Sequence, residues 1–245
     1  MAKFGLIGKN IDYSFSRSYF AKKFASEGLE HTYENFDIES IEEFPNIIRV
    51  SKDLRGLNVT IPYKEEVIPY LSKLNKTAKR IGAVNTIKIT KKGKLIGYNT
   101  DFYGFKKAIE PYLKPHHKKA LILGTGGASK AVAYAFKKLQ IEFSYVSRTI
   151  SKRADFSYQT LTKEDLNSYT IIVNCTPLGT YPNTSSCPDI PYEAITAQHL
   201  LFDLIYNPEE SKFLSLGKSK GAVISNGYRM LELQAEKAWR IWNKV

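Results

Sequence analysis

The sequence predicts an α/β fold of two units, each built on a mainly parallel sheet. Three observations predict it. Short apolar runs alternate with amphipathic stretches along the whole chain, the pattern of strand–helix–strand units whose sheets are covered on both faces. At 245 residues the chain suits one large domain or two small ones, and either can bury a core. Residues 111–117, PYLKPHH, carry two prolines and interrupt the alternation, which makes them the best linker signal.

In order, KFGLIG at residues 3–8 reads as a buried strand, and Ser16 as the N-cap of a helix running to about Gly28. HTYENFDI (31–38) alternates as a strand. IEEFPNIIRVSKDL follows as a helix, with Pro45 near its first turn or at a kink. RGLNVTI (55–61) is a strand. NTIKIT and KLIGYN, separated by Lys91, Lys92 and Gly93, form a hairpin. Residues 102–113 are helical up to the break. KALILG is a strand, 124–139 a loop opening into a helix, and IEFSYVS the next strand. TIIVNCT, HLLFDLI and AVIS are further strands. A helix over 209–220 precedes the last of them, and a final helix covers 227–245.

Composition excludes several classes. With 43% hydrophobic and 24% charged residues the chain is an ordinary globular one, not a disordered one. MAKFGLIGKN has no secretory h-region, and no apolar stretch approaches the ~18 residues of a membrane span. Two cysteines, Cys175 and Cys187, exclude a disulfide scaffold and a four-cysteine zinc site, so a reducing, cytoplasmic setting is expected. The net charge is +12, of which residues 102–153 carry +9, eleven Lys/Arg against two Asp/Glu. No arginine-rich run or nucleic-acid module accompanies it, so neither nucleic acid nor a membrane is an expected partner. The basic region instead surrounds a candidate phosphate loop.

That loop is ALILGTGGASKAVAYAF. An apolar strand runs into Gly124, Thr125, Gly126, Gly127, Ala128 and Ser129, and a helix rich in small residues follows. Glycine permits the tight turn and the close approach of backbone N–H groups to a pyrophosphate, and the helix start adds positive partial charge. Ser129 stands where G-x-G-x-x-G has its third glycine, and a turn without a ligand is the alternative. The next strand ends at Ser147, Arg148 and Thr149. No Asp or Glu occupies residues 143–153 to bond a ribose 2′-OH, whereas Arg148, followed by Lys152 and Arg153, suits a 2′-phosphate. NADP is thereby favoured over NAD.

Polar residues also collect where strands end: Ser14 and Ser16 after the first, Asn58, Thr60 and Lys64 around the third, Asn85 in GAVNTI, and Asn99, Thr100 and Asp101 in GYNTD. Ligands of open α/β sheets bind beyond the carboxyl ends of strands. Ser, Asn and Thr can clamp hydroxyls and a carboxylate, and a Lys with an Asp can handle a proton. Each has a plainer reading: Ser16 and Asp101 as helix caps, Lys64 as an exposed lysine, Gln234 as a flank of the final helix's apolar stripe rather than the wall of a wet cleft. Asn58 is harder to dismiss, because Asn is disfavoured within strands.

Taken together these blocks mark a family. SFS, GLNVTIPYKEEV, GAVNTI, GYNTDFYGF, GTGGAS, SRT, NCTPLGT, and DLIYNP with GYRMLELQAEKAW occur in an order and spacing by which the chain resembles shikimate dehydrogenase over essentially its whole length. The resemblance implies an N-terminal substrate domain over 1–101 completed by the helix at 228–245, a Rossmann-like NADP-binding domain over 102–227, and a cleft between them. It implies NADPH-dependent, reversible reduction of 3-dehydroshikimate to shikimate, in the pathway to chorismate and the aromatic amino acids. Ser14 and Ser16 would bind the substrate carboxylate, and Asn58, Thr60, Asn85 and Gln234 its hydroxyls or ring. Lys64 and Asp101 would form the catalytic pair. Gly124, Gly126, Gly127 and Ala128 would cradle pyrophosphate; Ser147, Arg148 and Thr149 occupy the 2′-phosphate motif; Gly227 would help seat the nicotinamide. No metal is needed, and the expected assembly is a monomer or homodimer.

The chain departs from the family pattern at Tyr13 and Arg17, where His and Pro flank the serines, at Tyr19 and Phe20 in place of His-Asn, and at Ser147 in place of Asn. These changes touch the carboxylate pocket and the cofactor motif and leave Lys64, Asp101 and both serines in place. Two alternatives remain: a quinate/shikimate dehydrogenase using NAD or NADP, and a catalytically inactive ligand-sensing module. Retention of both Lys64 and Asp101 argues against the second.

Overall fold

The structure, a computed structural model, describes residues 1–12, 14–151 and 154–243. Tyr13, Lys152 and Arg153 lie outside the described residues. The chain divides into two compact units, one of Met1–Thr100 with Ala235–Val245, the other of Asp101–Gln234.

The first unit contains β1 (Lys3–Gly8), α1 (Phe15–Ser26), β2 (Thr32–Asp37), α2 (Phe44–Val50), β3 (Leu54–Val59), β4 (Lys73–Leu74), α3 (Lys76–Ile81), β5 (Thr86–Ile89) and β6 (Leu95–Tyr98). Its six strands form one sheet in the order β2-β1-β3-β5-β6-β4. β1, β2 and β3 are parallel, as are β4 and β6, and β5 alone runs against its neighbours. That reversal brings the first residues of β5 to the same edge as the last residues of β1, β3 and β6. In register, Leu6, Asn58, Thr86 and Tyr98 lie side by side across four strands.

Alternation along β1 divides the core between the two sheet faces. Ile7 packs with Leu57, Val59, Val84, Ile87 and Phe44, while Phe4 and Leu6 pack with Phe20, Phe24, Tyr33, Ala238 and Trp242. Trp242 donates its indole N–H to the Ile87 carbonyl at 2.9 Å, and its ring lies so close to Gly56 that any Cβ there would collide with it.

Two sequence readings change here. Ser14, not Ser16, caps α1: its backbone is extended and its Oγ accepts from the Arg17 N–H at 3.4 Å. A cap must precede the first helical residue and reach the N–H three positions on, and Ser14 has that relation to Arg17. Ser16 falls in the first turn, on the buried face with Phe20 and Phe24, and the helix stops at Ser26. The helix expected over IEEFPNIIRVSKDL is instead a 3₁₀ turn, Ile41–Glu43, followed by the short α2, and Leu54 already belongs to β3. Pro45 sits in the first turn of α2, where its missing N–H leaves no bond unmade.

The second unit contains α4 (Asp101–Ile109), β7 (Lys119–Leu123), α5 (Gly127–Leu139), β8 (Glu142–Ser147), β9 (Phe156–Ser157), α6 (Lys163–Ser168), β10 (Ile171–Asn174), β11 (Leu200–Asp203), α7 (Lys212–Ser219), β12 (Val223–Ser225) and the first part of α8 (Tyr228–Trp242). All six strands are parallel, in the order β12-β11-β10-β7-β8-β9. Counted from β7 this is the doubly wound order 3-2-1-4-5-6 read from the other edge, with its switch point between β7 and β10. Ala120, Ile122, Val173 and Phe202 bury one face against Phe105, Val132 and Phe136. Leu121, Leu123, Ile172 and Leu201 bury the other against Leu166, Phe213 and Leu214. Residues 111–117 lie inside this unit, because Phe105, Ala108 and Ile109 of α4 already belong to its core. No described helix is long and apolar enough to cross a membrane.

Candidate active site

At the shared edge of the first unit's sheet, polar side chains replace the apolar ones that a core demands. Asn58 is only 4% exposed, yet its amide is well satisfied. Oδ1 accepts from the Tyr33 hydroxyl at 2.8 Å, and Nδ2 donates to the Asn85 carbonyl at 3.2 Å and to Thr86 Oγ1 at 3.4 Å. Both amide hydrogens are used, so Asn58 has only an oxygen lone pair to offer a ligand. Asn85, also buried, accepts on Oδ1 from the Thr100 N–H at 2.6 Å, and its Nδ2 donates to Thr100 Oγ1 at 2.9 Å. Asn99 donates to the Ala83 carbonyl at 3.0 Å and fixes the backbone beside it.

Ser16 joins this cluster through Tyr33. Burial pushes the Tyr33 phenol well above its usual range and outweighs a hydrogen bond with Ser16 that pulls the other way, so the phenol stays neutral. Ser14 uses an Oγ lone pair on the helix start, which keeps its O–H as a donor. Thr60 is tied to β1 by its N–H to the Ile7 carbonyl at 2.9 Å. Lys64 is half-buried, not an ordinary exposed lysine. Its carbonyl accepts from Val84 N–H at 2.7 Å, and its neighbour Tyr63 is buried with its hydroxyl on the Ile38 carbonyl at 2.7 Å. The backbone that carries the Lys64 ammonium is therefore rigid.

In the second unit β7 delivers Gly124 at φ +99°, and a Cβ there would stand 3.1 Å from Thr176 Cγ2. Glycine is required for both reasons. Gly126 is the N-cap of α5 and supplies no side-chain cap, and the first turn holds no acid. A Cβ on Gly126 would meet nothing within 4 Å. The helix thus opens on backbone N–H groups that its N-cap leaves uncovered. Gly127 and Ala128 are half-exposed in that first turn, whereas Ser129 turns back, buried, and donates to the Gly126 carbonyl at 2.7 Å. Ser129 can therefore replace a third glycine without intruding on the loop.

At the end of β8, Ser147 spends its hydroxyl on the backbone of Thr149, donating to its carbonyl at 2.5 Å and accepting from its N–H at 3.3 Å. This turn holds Arg148 and Thr149 in exposed positions. Burial, reinforced by Cys175, pushes the Tyr158 phenol up to about 12 against the opposing charge of Arg148. Gly227 donates its N–H to the Ile205 carbonyl at 2.9 Å, and its bare Cα lies against the Leu204 carbonyl, where a Cβ would collide. Asp101 is buried as the first residue of α4. Gln234, buried in α8, lies against Gly104 of α4; a Cβ on Gly104 would come within 3.1 Å of Gln234 Cβ.

Two residues here received no role from the sequence. Asp203, at the end of β11, is a fully buried carboxylate that accepts from Ser211 Oγ at 2.5 Å, Ile205 N–H at 3.0 Å and Asn174 Nδ2 at 3.1 Å. Asn174 Oδ1 in turn accepts from the Thr176 N–H and hydroxyl at 2.9 and 2.7 Å. This network ties the ends of β10 and β11 to the residue that flanks Gly124. The signal in the sequence was an Asp and an Asn, each closing an otherwise apolar strand.

The family described as "Shikimate dehydrogenase substrate binding domain" matches residues 6–87. A shikimate dehydrogenase (NADP(+)) of Clostridium botulinum is 38% identical over 248 residues, covering 97% of this chain and 95% of that protein. The chain belongs to the shikimate dehydrogenase family. The corresponding protein of Methanococcus vannielii is 36% identical over 258 residues, covering 97% of this chain and 90% of its own length. Among solved structures, shikimate 5-dehydrogenase from Thermus thermophilus in complex with NADP(H) and shikimate aligns with a TM-score of 0.88 at 33% identity, covering 100% of this chain and 94% of that one.

Two departures from the shikimate dehydrogenase pattern have structural explanations. Tyr19 donates its hydroxyl to Glu236 Oε1 at 2.5 Å, and the same carboxylate receives Lys23 Nζ at 2.8 Å. Phe20 stacks on Tyr33 with ring centroids 4.7 Å apart and planes 12° from parallel, which positions the phenol that meets Asn58.

Proposed function

We propose that this protein catalyses the reversible reduction of 3-dehydroshikimate to shikimate with NADPH, the step of aromatic biosynthesis that leads towards chorismate. The observation that carries the reading is the full-length family match in a chain whose two units each hold the polar groups that half of this reaction needs. In the first unit, the Ser14, Ser16, Asn58, Thr60 and Asn85 side chains supply donors and acceptors for a carboxylate and several hydroxyls. An analogue lacking a hydroxyl would leave buried polar groups unpaired, which is a strong source of selectivity. Gln234 is proposed as a further substrate contact.

The second unit fits NADP. The space beside Gly126 that a Cβ would fill, and the uncapped start of α5, suit a pyrophosphate held by Gly124, Gly126, Gly127 and Ala128. Arg148 and Thr149, exposed on the turn shaped by Ser147, suit an adenosine 2′-phosphate. Gly227, with no side chain to intrude, suits the nicotinamide end. When bound, NADPH supplies the hydride that adds to the ketone carbon. The carbonyl oxygen gains negative charge as that bond forms. Lys64 donates a proton to this oxygen, completing the hydroxyl, and Asp101 serves as its acidic partner. The reverse direction runs the same proton back to Lys64.

A reducing, cytoplasmic setting belongs to the same proposal. So does a monomeric or homodimeric state, which light scattering reads directly. The test of function is absorbance at the reduced-nicotinamide band. Shikimate with NADP+ should give a rising signal, with less from NAD+ or from quinate. Faster turnover of quinate with NAD+ would replace this reading with a quinate dehydrogenase, and no turnover of either acid by folded protein would leave an inactive binding module.

A further inference from the structure

The first unit's polar edge contains a residue to which neither the family motif nor any comparison gives a role. Thr86 is fully buried and opens β5, in register with Asn58 of β3 and Tyr98 of β6. Its hydroxyl lies 3.4 Å from Asn58 Nδ2, 3.1 Å from Asn85 Oδ1 and 3.1 Å from Thr100 Oγ1. One hydroxyl thus joins three polar residues that come from three different segments of the chain. We propose that Thr86 is a positioning residue, whose hydroxyl locks the Asn85 amide in the orientation that meets the substrate.

The donor and acceptor inventory gives the argument. Asn58 Nδ2 can only donate, so Thr86 Oγ1 accepts there and its own proton goes to Asn85 Oδ1 or to Thr100 Oγ1. In the second arrangement the Thr100 hydroxyl, 3.2 Å from Asn85 Oδ1, passes its proton on to that oxygen. Either way Asn85 Oδ1 accepts a hydroxyl proton as well as the Thr100 N–H. Thr86 thus acts on Oδ1 directly or through the Thr100 hydroxyl, and with the Thr100 N–H it fixes the side-chain torsion and the face of the amide. Asn85 then presents its amide nitrogen, which also donates to Thr100 Oγ1 at 2.9 Å, as the group that recognises a hydroxyl or carbonyl oxygen. Without the Thr86 hydroxyl, the Asn85 amide oxygen loses a support, and Asn58 loses a partner for one of its hydrogens.

This inference rests on the reading that Asn85 contacts the substrate, and the experiment separates the two. Thr86→Val keeps the shape and removes the hydroxyl. It should raise KM for shikimate roughly tenfold, as expected for loss of about one buried hydrogen bond, with kcat falling less and KM for NADP+ holding. Thr86→Ser should restore the wild-type KM. In an Asn85→Ala background, Thr86→Val should add nothing to KM, because the residue it positions is gone. If Asn85→Ala leaves KM for shikimate unchanged, the site reading fails. If Asn85→Ala raises KM while folded Thr86→Val has the wild-type value, or if the two effects multiply, the positioning role fails. Should Thr86→Val not fold, a crystal structure of the wild-type protein with shikimate at about 1.2 Å, where amide oxygen and nitrogen can be told apart, decides. Asn85 Nδ2 on a shikimate oxygen supports the role, and Oδ1 there overturns it.

Discussion

Replacing Asp203 by Asn should convert a pH-dependent anchor of the second unit into a pH-independent one. Burial is the dominant influence on this carboxyl and outweighs the hydrogen bonds from Ser211, Ile205 and Asn174, so its pKa rises from an ordinary 3.8 to about 6. A raised pKa means that folding disfavours the ionised form. The stability linked to Asp203 is complete below the unfolded pKa near 3.8 and is lost as pH climbs through about 6. At ~1.36 kcal/mol for each pKa unit, the rise is worth about 3 kcal/mol. Asn keeps an oxygen for Ile205 and Asn174, and its nitrogen can donate to Ser211, whose hydroxyl then accepts. The variant should therefore fold and lack the penalty. Urea unfolding of both proteins, followed by circular dichroism from pH 4 to 8, tests this. The stability of Asp203→Asn relative to wild type should grow by roughly 2–3 kcal/mol across that range, nearly all of it before pH 7, because a small part of the penalty is already present at pH 4. A difference that does not change with pH would refute the assignment of burial as the governing influence.

Other substitutions probe the chemistry. Lys64→Ala should lower kcat by ~10²–10⁴-fold with an unchanged circular dichroism spectrum, and near-normal turnover in a folded variant would remove Lys64 from the reaction. Arg148→Ala should raise KM for NADPH far more than for NADH, and an equal rise for both would end its assignment to the 2′-phosphate. Gly126→Ala adds a methyl to open space at φ −74°, so the fold should survive, at the modest cost of a poorer N-cap, while KM for NADP+ increases. An unchanged KM would show that no phosphate lies against that residue.

Much of this was readable in the amino-acid sequence, and the exceptions have physical causes. The strands at KFGLIG, RGLNVTI, KALILG and HLLFDLI were plain because continuous apolar runs bounded by glycine or charge admit few other readings. The glycine loop was plain because its strand and helix flank it directly. The two-residue β4 and β9 carry too few residues for any period to show. α3 and α6, of six residues each, bury only Ala78 with Ile81 and Leu166 respectively, which leaves no amphipathic stripe. Ser14 and Ser16 are two apart, so either could cap a helix until backbone geometry chooses. The proline-marked break at 111–117 misled because packing, not local flexibility, decides where a unit ends, and Phe105 and Ile109 commit α4 earlier. Asn58 could be suspected from its type alone. Its partners could not, because Tyr33, Thr86 and Asn85 meet it only through the pairing of strands distant in sequence.

The first unit is discontinuous along the chain: its opening hundred residues are joined by Ala235, Ala238 and Trp242 from the opposite terminus. A ribosome delivers these only after residues 101–234. While translation proceeds, Phe4, Phe20 and Phe24 lack the helix that covers them, whereas residues 101–234 are already a contiguous piece able to collapse. Domains usually mature in the order they emerge. Here the unit that begins first stays incomplete until residues 235–242 have emerged, and deleting those residues should harm the part of the molecule made first.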